Sequence, residues 1–229
     1  MTTPEIIAHR GASRERPENT LAAFTRAAEV GADAIELDIH LTLDGILVVH
    51  HDAIPHDPPR ADLGERAIST MTFEELAAFR VGGEPIPRLA DVFARVGGQL
   101  VVNCELKGAG TAAPTLALIA TTGARAAVHA FDHRQLALAR NLAPVVPRGV
   151  LETSYHIDPT ASMASVDARD LWQYWEMLDE ALVSAVHARG GRVVAWTVDD
   201  PAEMARLAAL GVDALCTNDP ALARATFPR

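Results

Sequence analysis

Cysteine is nearly absent from this chain, with two in 229 residues, Cys104 and Cys216. Both lie inside apolar, strand-like runs, so two buried free thiols are expected rather than a disulfide framework. Aromatic residues make up only 5%, and 20 Lys and Arg stand against 30 Asp and Glu, for a net charge of −10. A basic face interleaved with aromatics, the footprint of a nucleic-acid binder, is therefore not expected. No apolar run approaches the length of a membrane span, and the first five residues do not read as a signal peptide. A reducing, cytoplasmic setting is the default that these absences leave. There is no internal repeat and no GxGxxG loop, which argues against an open doubly wound sheet.

What is present is alternation. The composition, 49% hydrophobic and 22% charged, suits one globular domain over residues 1–229. Strand-like runs are read at 6–8, 33–38, 46–50, 100–105, 127–131, 148–151, 192–197 and 213–217, with a weak ninth at 165–168. Between them lie helical patterns with legible ends. Gly31, Gly123 and Gly211 close helices, Thr72 and Glu75 form a capping box, and Asp132 and Asp200 cap two more, the second followed by Pro201. Strand, loop and helix repeating in this way predict an α/β fold, a single (β/α)8 TIM barrel. Only about seven residues separate Asp38 from the next strand, and a right-handed crossover needs a dozen or more. The barrel is thus expected to be irregular between strands 2 and 3, with the chain turning at Asp44-Gly45. A short proline-containing insertion follows strand 3, at 53–86, expected over the barrel mouth.

The chemistry gathers at strand ends. Glu36 and Asp38 are two residues apart on an apolar strand, a spacing that places both on one face. A buried pair of like charges needs a cation or protons to neutralise it. Glu105 ends another buried-type strand, and three converging carboxylates make an oxygen-rich site suited to Mg²⁺ or Ca²⁺. The competing reading pairs each carboxylate with a rim Lys or Arg. His9 and His51 each follow a strand into this mouth, placed to act as a proton-transfer pair. Asp52, the sequence neighbour of His51, is expected to point away from it and to orient the following loop. His50 is read as structural, and His40, His56, His129, His133, His156 and His187 are given no role. Arg10 and Lys107 supply cations that fit phosphate oxygens, or else salt bridges to the same carboxylates. Glu18 and Asn19 start a helix, as capping residues or as part of the rim. Trp196 ends a late strand, either walling the pocket or filling core. Together these groups have the layout of a metal-assisted phosphoester hydrolase.

These residues also resemble a known family. His9-Arg10-Gly11, Glu18-Asn19-Thr20, Glu36-x-Asp38, Asp44-Gly45, His51-Asp52 and Glu105-x-Lys107 are similar to the motifs of the glycerophosphodiester phosphodiesterases. So are Trp196-Thr197-Val198, Gly211-Val212-Asp213 and Thr217-Asn218-Asp219-Pro220. The resemblance spans nearly the whole chain. It implies a TIM barrel and a divalent cation, Mg²⁺ or Ca²⁺, held by Glu36, Asp38 and Glu105. It implies His9 and His51 as the acid–base pair, with Arg10 on the phosphate, Lys107 near metal and phosphate, and Trp196 beside the glycerol moiety. The small-molecule substrate implied is a glycerophosphodiester: its own neighbouring hydroxyl attacks phosphorus and expels the alcohol, and water opens the resulting cyclic phosphate to sn-glycerol 3-phosphate. Two departures stand out. Thr217-Asn218 occupies the place where the family usually reads Thr-Asp, and the loop after Asp52 lacks the usual polar Thr/Arg run. Other readings are a related phosphodiesterase acting on lysophospholipids or other head groups, and a non-catalytic phosphate-binding barrel.

Overall fold

The computed structural model describes residues 3–56 and 63–228. Eight parallel strands close into a barrel. In chain order the strands are β1 (Glu5–His9), β2 (Ala34–Leu41), β3 (Leu47–Val49), β4 (Arg80–Val81), β5 (Glu84–Pro85), β6 (Val101–Leu106), β7 (Ala126–Ala130), β8 (Arg148–Glu152), β9 (Asp170–Tyr174), β10 (Arg192–Trp196) and β11 (Ala214–Thr217). The order β1-β11-β10-β9-β8-β7-β6-β2 is sealed by the pairing of β1 with β2. Helices α1 (Leu21–Glu29), α2 (Phe73–Leu76), α3 (Leu89–Val96), α4 (Ala112–Thr122), α5 (His133–Leu142), α6 (Ala161–Val166), α7 (Glu180–Ala188), α8 (Pro201–Leu210) and α9 (Pro220–Thr226) follow the strands.

The expected irregularity takes a definite form. β3 is not a barrel strand but an antiparallel addition to β2, pairing Ile39 with Val49 and Leu41 with Leu47. To make this hairpin, β2 runs three residues beyond the expected end at Asp38. Thr42 and Asp44 close the turn, the Thr42 hydroxyl donating to Asp44 Oδ1 at 2.6 Å, with Gly45 at φ 80°. The returning chain comes back to the level of Asp38, whose carbonyl accepts the His50 N–H at 3.0 Å. Residues 63–86 build a small core of their own against β3, around Val48, Leu63, Ile68, Met71, Leu76, Phe79 and Ile86. The expected capping box of Thr72 and Glu75 is present.

One strand falls elsewhere than expected. Residues 161–166 are helix α6, ended by Asp167 in the left-handed region at φ 51°, and the ninth strand of the chain is Asp170–Tyr174. Its sequence, Asp-Leu-Trp-Gln-Tyr, hides the strand because Asp170 and Gln173 are buried polar residues. Asp170 is neutralised by Arg169 at 2.6 Å, and Gln173 donates to the carbonyls of Glu152 and Ser154. The helix expected from 177 begins at Glu180, where Asp179 accepts the Leu182 N–H at 2.8 Å.

Candidate active site

Strand parity divides the lumen into layers. Ile7, Ala34, Leu151, Trp172, Val194, Ala214 and Cys216 pack together as an apolar plug. Two residues further along the strands, at their C-terminal ends, the same faces carry His9, Glu36 and Trp196. The register does the rest: His9 pairs with Glu36, Asp38 with Glu105, and Glu105 with His129. The result is a cavity of about 110 Å³. Charged groups line one side, from His9, Arg10, Glu36, His51, Glu105 and Lys107, and apolar rings line the other, from Phe131, Trp172 and Trp196.

Glu36 and Glu105 come together, as expected, and a third donor joins them. Carboxylate oxygens of both and a ring nitrogen of His129 all lie within 4.8 Å of one another. The three side chains are almost fully buried. Burial, reinforced by the charges of Asp38 and Glu36, pushes the Glu105 carboxyl up to about 7. Without a cation this pocket favours a proton, so the donor set fits a divalent ion. Asp38 is engaged differently. It accepts from Asn19 Nδ2 at 2.8 Å and lies 3.2 Å from Arg10 Nε and 3.4 Å from Lys107 Nζ. Burial alone would raise its pKa, but Arg10 and Lys107 outweigh it and hold the carboxyl below its ordinary range. Lys107 also reaches Glu105 at 3.3 Å. Salt bridges and a cation-ready cluster thus coexist around the same three carboxylates.

Arg10 is placed by an unusual backbone. It sits at φ 56°, and the following Gly11, at φ 85°, lies where a Cβ would come within 2.7 Å of the Ala23 backbone. The Arg10 N–H donates to Glu36 Oε2 at 3.1 Å, and its guanidinium donates to both oxygens of Glu18. Glu18 therefore belongs to the rim, as does Asn19 through Asp38. The helix cap is Thr20, whose hydroxyl accepts the Ala23 N–H.

Each imidazole is tethered through Nδ1. His51 Nδ1 lies 2.8 Å from Asp52 Oδ1. This corrects the expectation that Asp52 turns away. β3 ends at Val49, so the two residues lie in a bend where strand alternation does not apply. Burial favours a neutral Asp52, yet facing His51 and His56 keeps its carboxyl below the ordinary range. An ionised carboxylate accepts only, so His51 Nδ1 carries the proton. His9 Nδ1 lies 2.8 Å from Asn218 Oδ1, and His9 Nε2 lies 3.9 Å from Glu36 Oε2.

Two residues in the mouth carry no sequence signal. His129 stacks on Trp172, centroids 4.2 Å apart and planes 3° off parallel. Gly149 makes that stack possible, since a Cβ there would lie 2.6 Å from the indole. A lone His inside an Ala-rich strand, with a Gly one strand over, is a signal only once strand pairing is known. Trp196 does stand at the cavity wall, edge-on to Phe131 at 5.7 Å and to Tyr174 at 6.0 Å.

A closed parallel barrel whose C-terminal mouth joins carboxylates, two tethered imidazoles, an arginine and a lysine is a hydrolase of phosphoester type. The comparisons narrow the class. The family model for the glycerophosphoryl diester phosphodiesterase family matches residues 9–222. The chain is 35% identical to a glycerophosphodiester phosphodiesterase of Caldanaerobacter subterraneus subsp. tengcongensis, over 94% of each chain. It superposes on an Oleispira antarctica phosphodiesterase in complex with the product sn-glycerol-3-phosphate, with a TM-score of 0.91, 25% identity and coverage of 99% and 98%. A glycerophosphodiester phosphodiesterase from Agrobacterium tumefaciens gives a TM-score of 0.83 at 27% identity, covering 97% and 99%. The chain belongs to the glycerophosphoryl diester phosphodiesterase family.

Proposed function

We propose that this mouth hydrolyses glycerophosphodiesters to sn-glycerol 3-phosphate and an alcohol, with His9 and His51 as the proton-transfer pair. Family membership supports the reaction class. The observation that carries the site assignment is the convergence of Glu36 and Glu105 beneath two imidazoles that are each tethered through Nδ1 rather than Nε2. Glu36, Asp38 and Glu105 would hold the cation, with the His129 ring nitrogen beside Glu36 and Glu105, and three carboxylates suit the hard ions Mg²⁺ or Ca²⁺. A divalent cation there supplies Lewis-acid stabilisation of charge on phosphoryl oxygen.

The chain's own groups do the remaining work. Arg10 presents a guanidinium, fixed by Glu18, to phosphate oxygens, and Lys107 adds a second positive charge. His51, its Nδ1 proton held by Asp52, offers Nε2 to one oxygen of the reacting diester. His9 offers Nε2 to the other. One ring, unprotonated at Nε2, takes the proton of the attacking hydroxyl; the other, entering the step as an imidazolium, gives its Nε2 proton to the departing alkoxide, and water then opens the resulting cyclic phosphate with the two roles exchanged. Trp196 and Phe131 cover the apolar edge of the glycerol carbons. Both cysteines are buried and unpaired, which supports a cytoplasmic enzyme. Among the described residues, no helix is long and apolar enough to cross a membrane.

The test offers glycerophosphocholine, glycerophosphoethanolamine, glycerophosphoglycerol and a lysophospholipid to chelator-treated protein, with Mg²⁺ or Ca²⁺ restored in turn. Release of sn-glycerol 3-phosphate, lost on chelation and regained with a hard cation, is expected. Turnover that survives chelation would remove the cation from the reading. Turnover of the lysophospholipid alone would move the substrate class.

A further inference from the structure

Asp199, in the short loop between β10 and α8, belongs to no motif singled out above and is not among the residues that line the cavity. Yet its carboxylate sits behind one of the two imidazoles. Asp199 Oδ1 accepts from the Asn218 backbone N–H at 2.8 Å and from the Thr217 hydroxyl at 2.9 Å. Asp199 Oδ2 accepts from Asn218 Nδ2 at 2.6 Å. That last bond decides which way the Asn218 amide faces, because the reverse orientation would set two oxygens at that distance. The amide oxygen must then point to His9, where it lies 2.8 Å from Nδ1. An amide oxygen only accepts, so Nδ1 holds the proton of the neutral ring and Nε2 holds the lone pair. The Ser13 hydroxyl stands 3.1 Å from the same amide oxygen and 2.9 Å from the His9 carbonyl, bracing the residue from the other side.

We propose that Asp199 is a positioning residue: acting through Asn218, it sets the tautomer and orientation of His9 so that an unprotonated Nε2 faces the reaction centre. The two imidazoles reach the same tautomer by different means. Asp52 touches its histidine directly, whereas Asp199 works through a neutral amide. The proposal rests on the function proposed above only in giving His9 a proton to move.

The consequence is specific. In Asp199→Asn, the new side-chain oxygen keeps the bonds to Thr217 and to the Asn218 backbone, but its NH₂ meets the Asn218 NH₂. Asn218 relieves that clash by flipping, turns its NH₂ toward His9 Nδ1, and drives the ring proton to Nε2. Asn218→Asp alone sets two carboxylates against each other. The double variant Asp199→Asn/Asn218→Asp restores a donor facing an acceptor at every link, with the carboxylate moved next to His9.

Imidazole ¹⁵N shifts of His9 in the full chain, recorded at alkaline pH, read the tautomer without any substrate. The wild type is expected as Nδ1–H and Asp199→Asn as Nε2–H. Kinetically, Asp199→Asn should lower kcat on the order of 10²-fold with KM nearly unchanged. The double variant should regain most of that loss, which a merely structural role would not allow. Asn218→Ala keeps the Asp199 bonds to Thr217 and to the backbone, so it serves if Asp199→Asn folds poorly; it should leave His9 a mixture of tautomers. A wild-type Nε2–H ring, or a tautomer unmoved in these variants, overturns the proposal. A tautomer that shifts as expected in a protein that hydrolyses no glycerophosphodiester keeps the proposal and removes the function instead.

Discussion

The mouth of this barrel has two unlike arcs. β1, β2 and β6, with the loop after β3, contribute His9, Arg10, Glu36, Asp38, Glu105, Lys107 and His51, and nearly every one is tied to a charged partner. β7, β9 and β10 and the loops after them contribute Phe131, Trp172 and Trp196; Phe131 meets Trp196 edge-on, and Trp172 stacks on His129. His129 stands at the seam, one face on Trp172 and one nitrogen 3.7 Å from Glu36. The charged arc is held together by opposing charges that burial makes costly to leave unpaired. The aromatic arc is held by area and shape. Chemistry at phosphorus belongs to the first and the grip on carbon to the second, and that division can be tested.

The largest effects should come from the charged arc. His9→Ala and His51→Ala should each lower kcat by about 10²–10⁴-fold while the thermal midpoint stays near wild type, measured by steady-state kinetics beside thermal melts. A variant with near-normal kcat would remove that ring from the proton-transfer pair.

A smaller effect concerns stability in the metal-free protein. Glu105 titrates near 4.5 in an unfolded chain and at about 7 in the fold. The folded state therefore binds the proton more tightly. The stability this lends is complete below the unfolded value and is lost as pH rises through about 7. The swing is about 3 kcal/mol. Under chelation, wild type should fall behind Glu105→Gln in melting temperature as pH rises from acid to mildly alkaline, and added cation should reverse the order. Parallel curves for the two proteins would show that Glu105 is not the strained group.

The smallest effects should come from the aromatic arc. Trp196→Ala should raise KM with kcat changed little, a loss of about 1–2 kcal/mol in kcat/KM. If Trp196→Ala instead lowered kcat as far as His9→Ala does, the two arcs would not be functionally separate.

Much of the site was legible from residue order because strands present alternate residues to one face. Glu36 and Asp38 had to share a face, and Glu105 had to lie at the end of a strand with Lys107 just beyond it. The short span after Asp38 was enough to rule out a crossover helix. What stayed hidden depended on neighbours far away in sequence. His129 looked like any isolated histidine until pairing with β6 set it beside Glu105. Asp199 drew no attention and Asn218 stood out only as a departure from a family motif until β11 docked beside β1 and brought Asn218 to His9. The strand at 170–174 was missed because two of its five residues are buried polar groups, Asp170 paired with the adjacent Arg169 and Gln173 bonded to distant carbonyls, so its own sequence lacks the apolar signal.

Residue order by itself determined the alternation of strands and helices, the helix ends and the acidic and basic groups at strand tips. These follow from interactions within a few residues: side-chain period, caps and turn chemistry. Only the tertiary structure decided which carboxylates lie beside His129 and which lies between Arg10 and Lys107, and which nitrogen of His9 is tethered to Asn218. Those outcomes depend on distances of 3–4 Å between segments up to 209 residues apart, and barrel closure alone sets them.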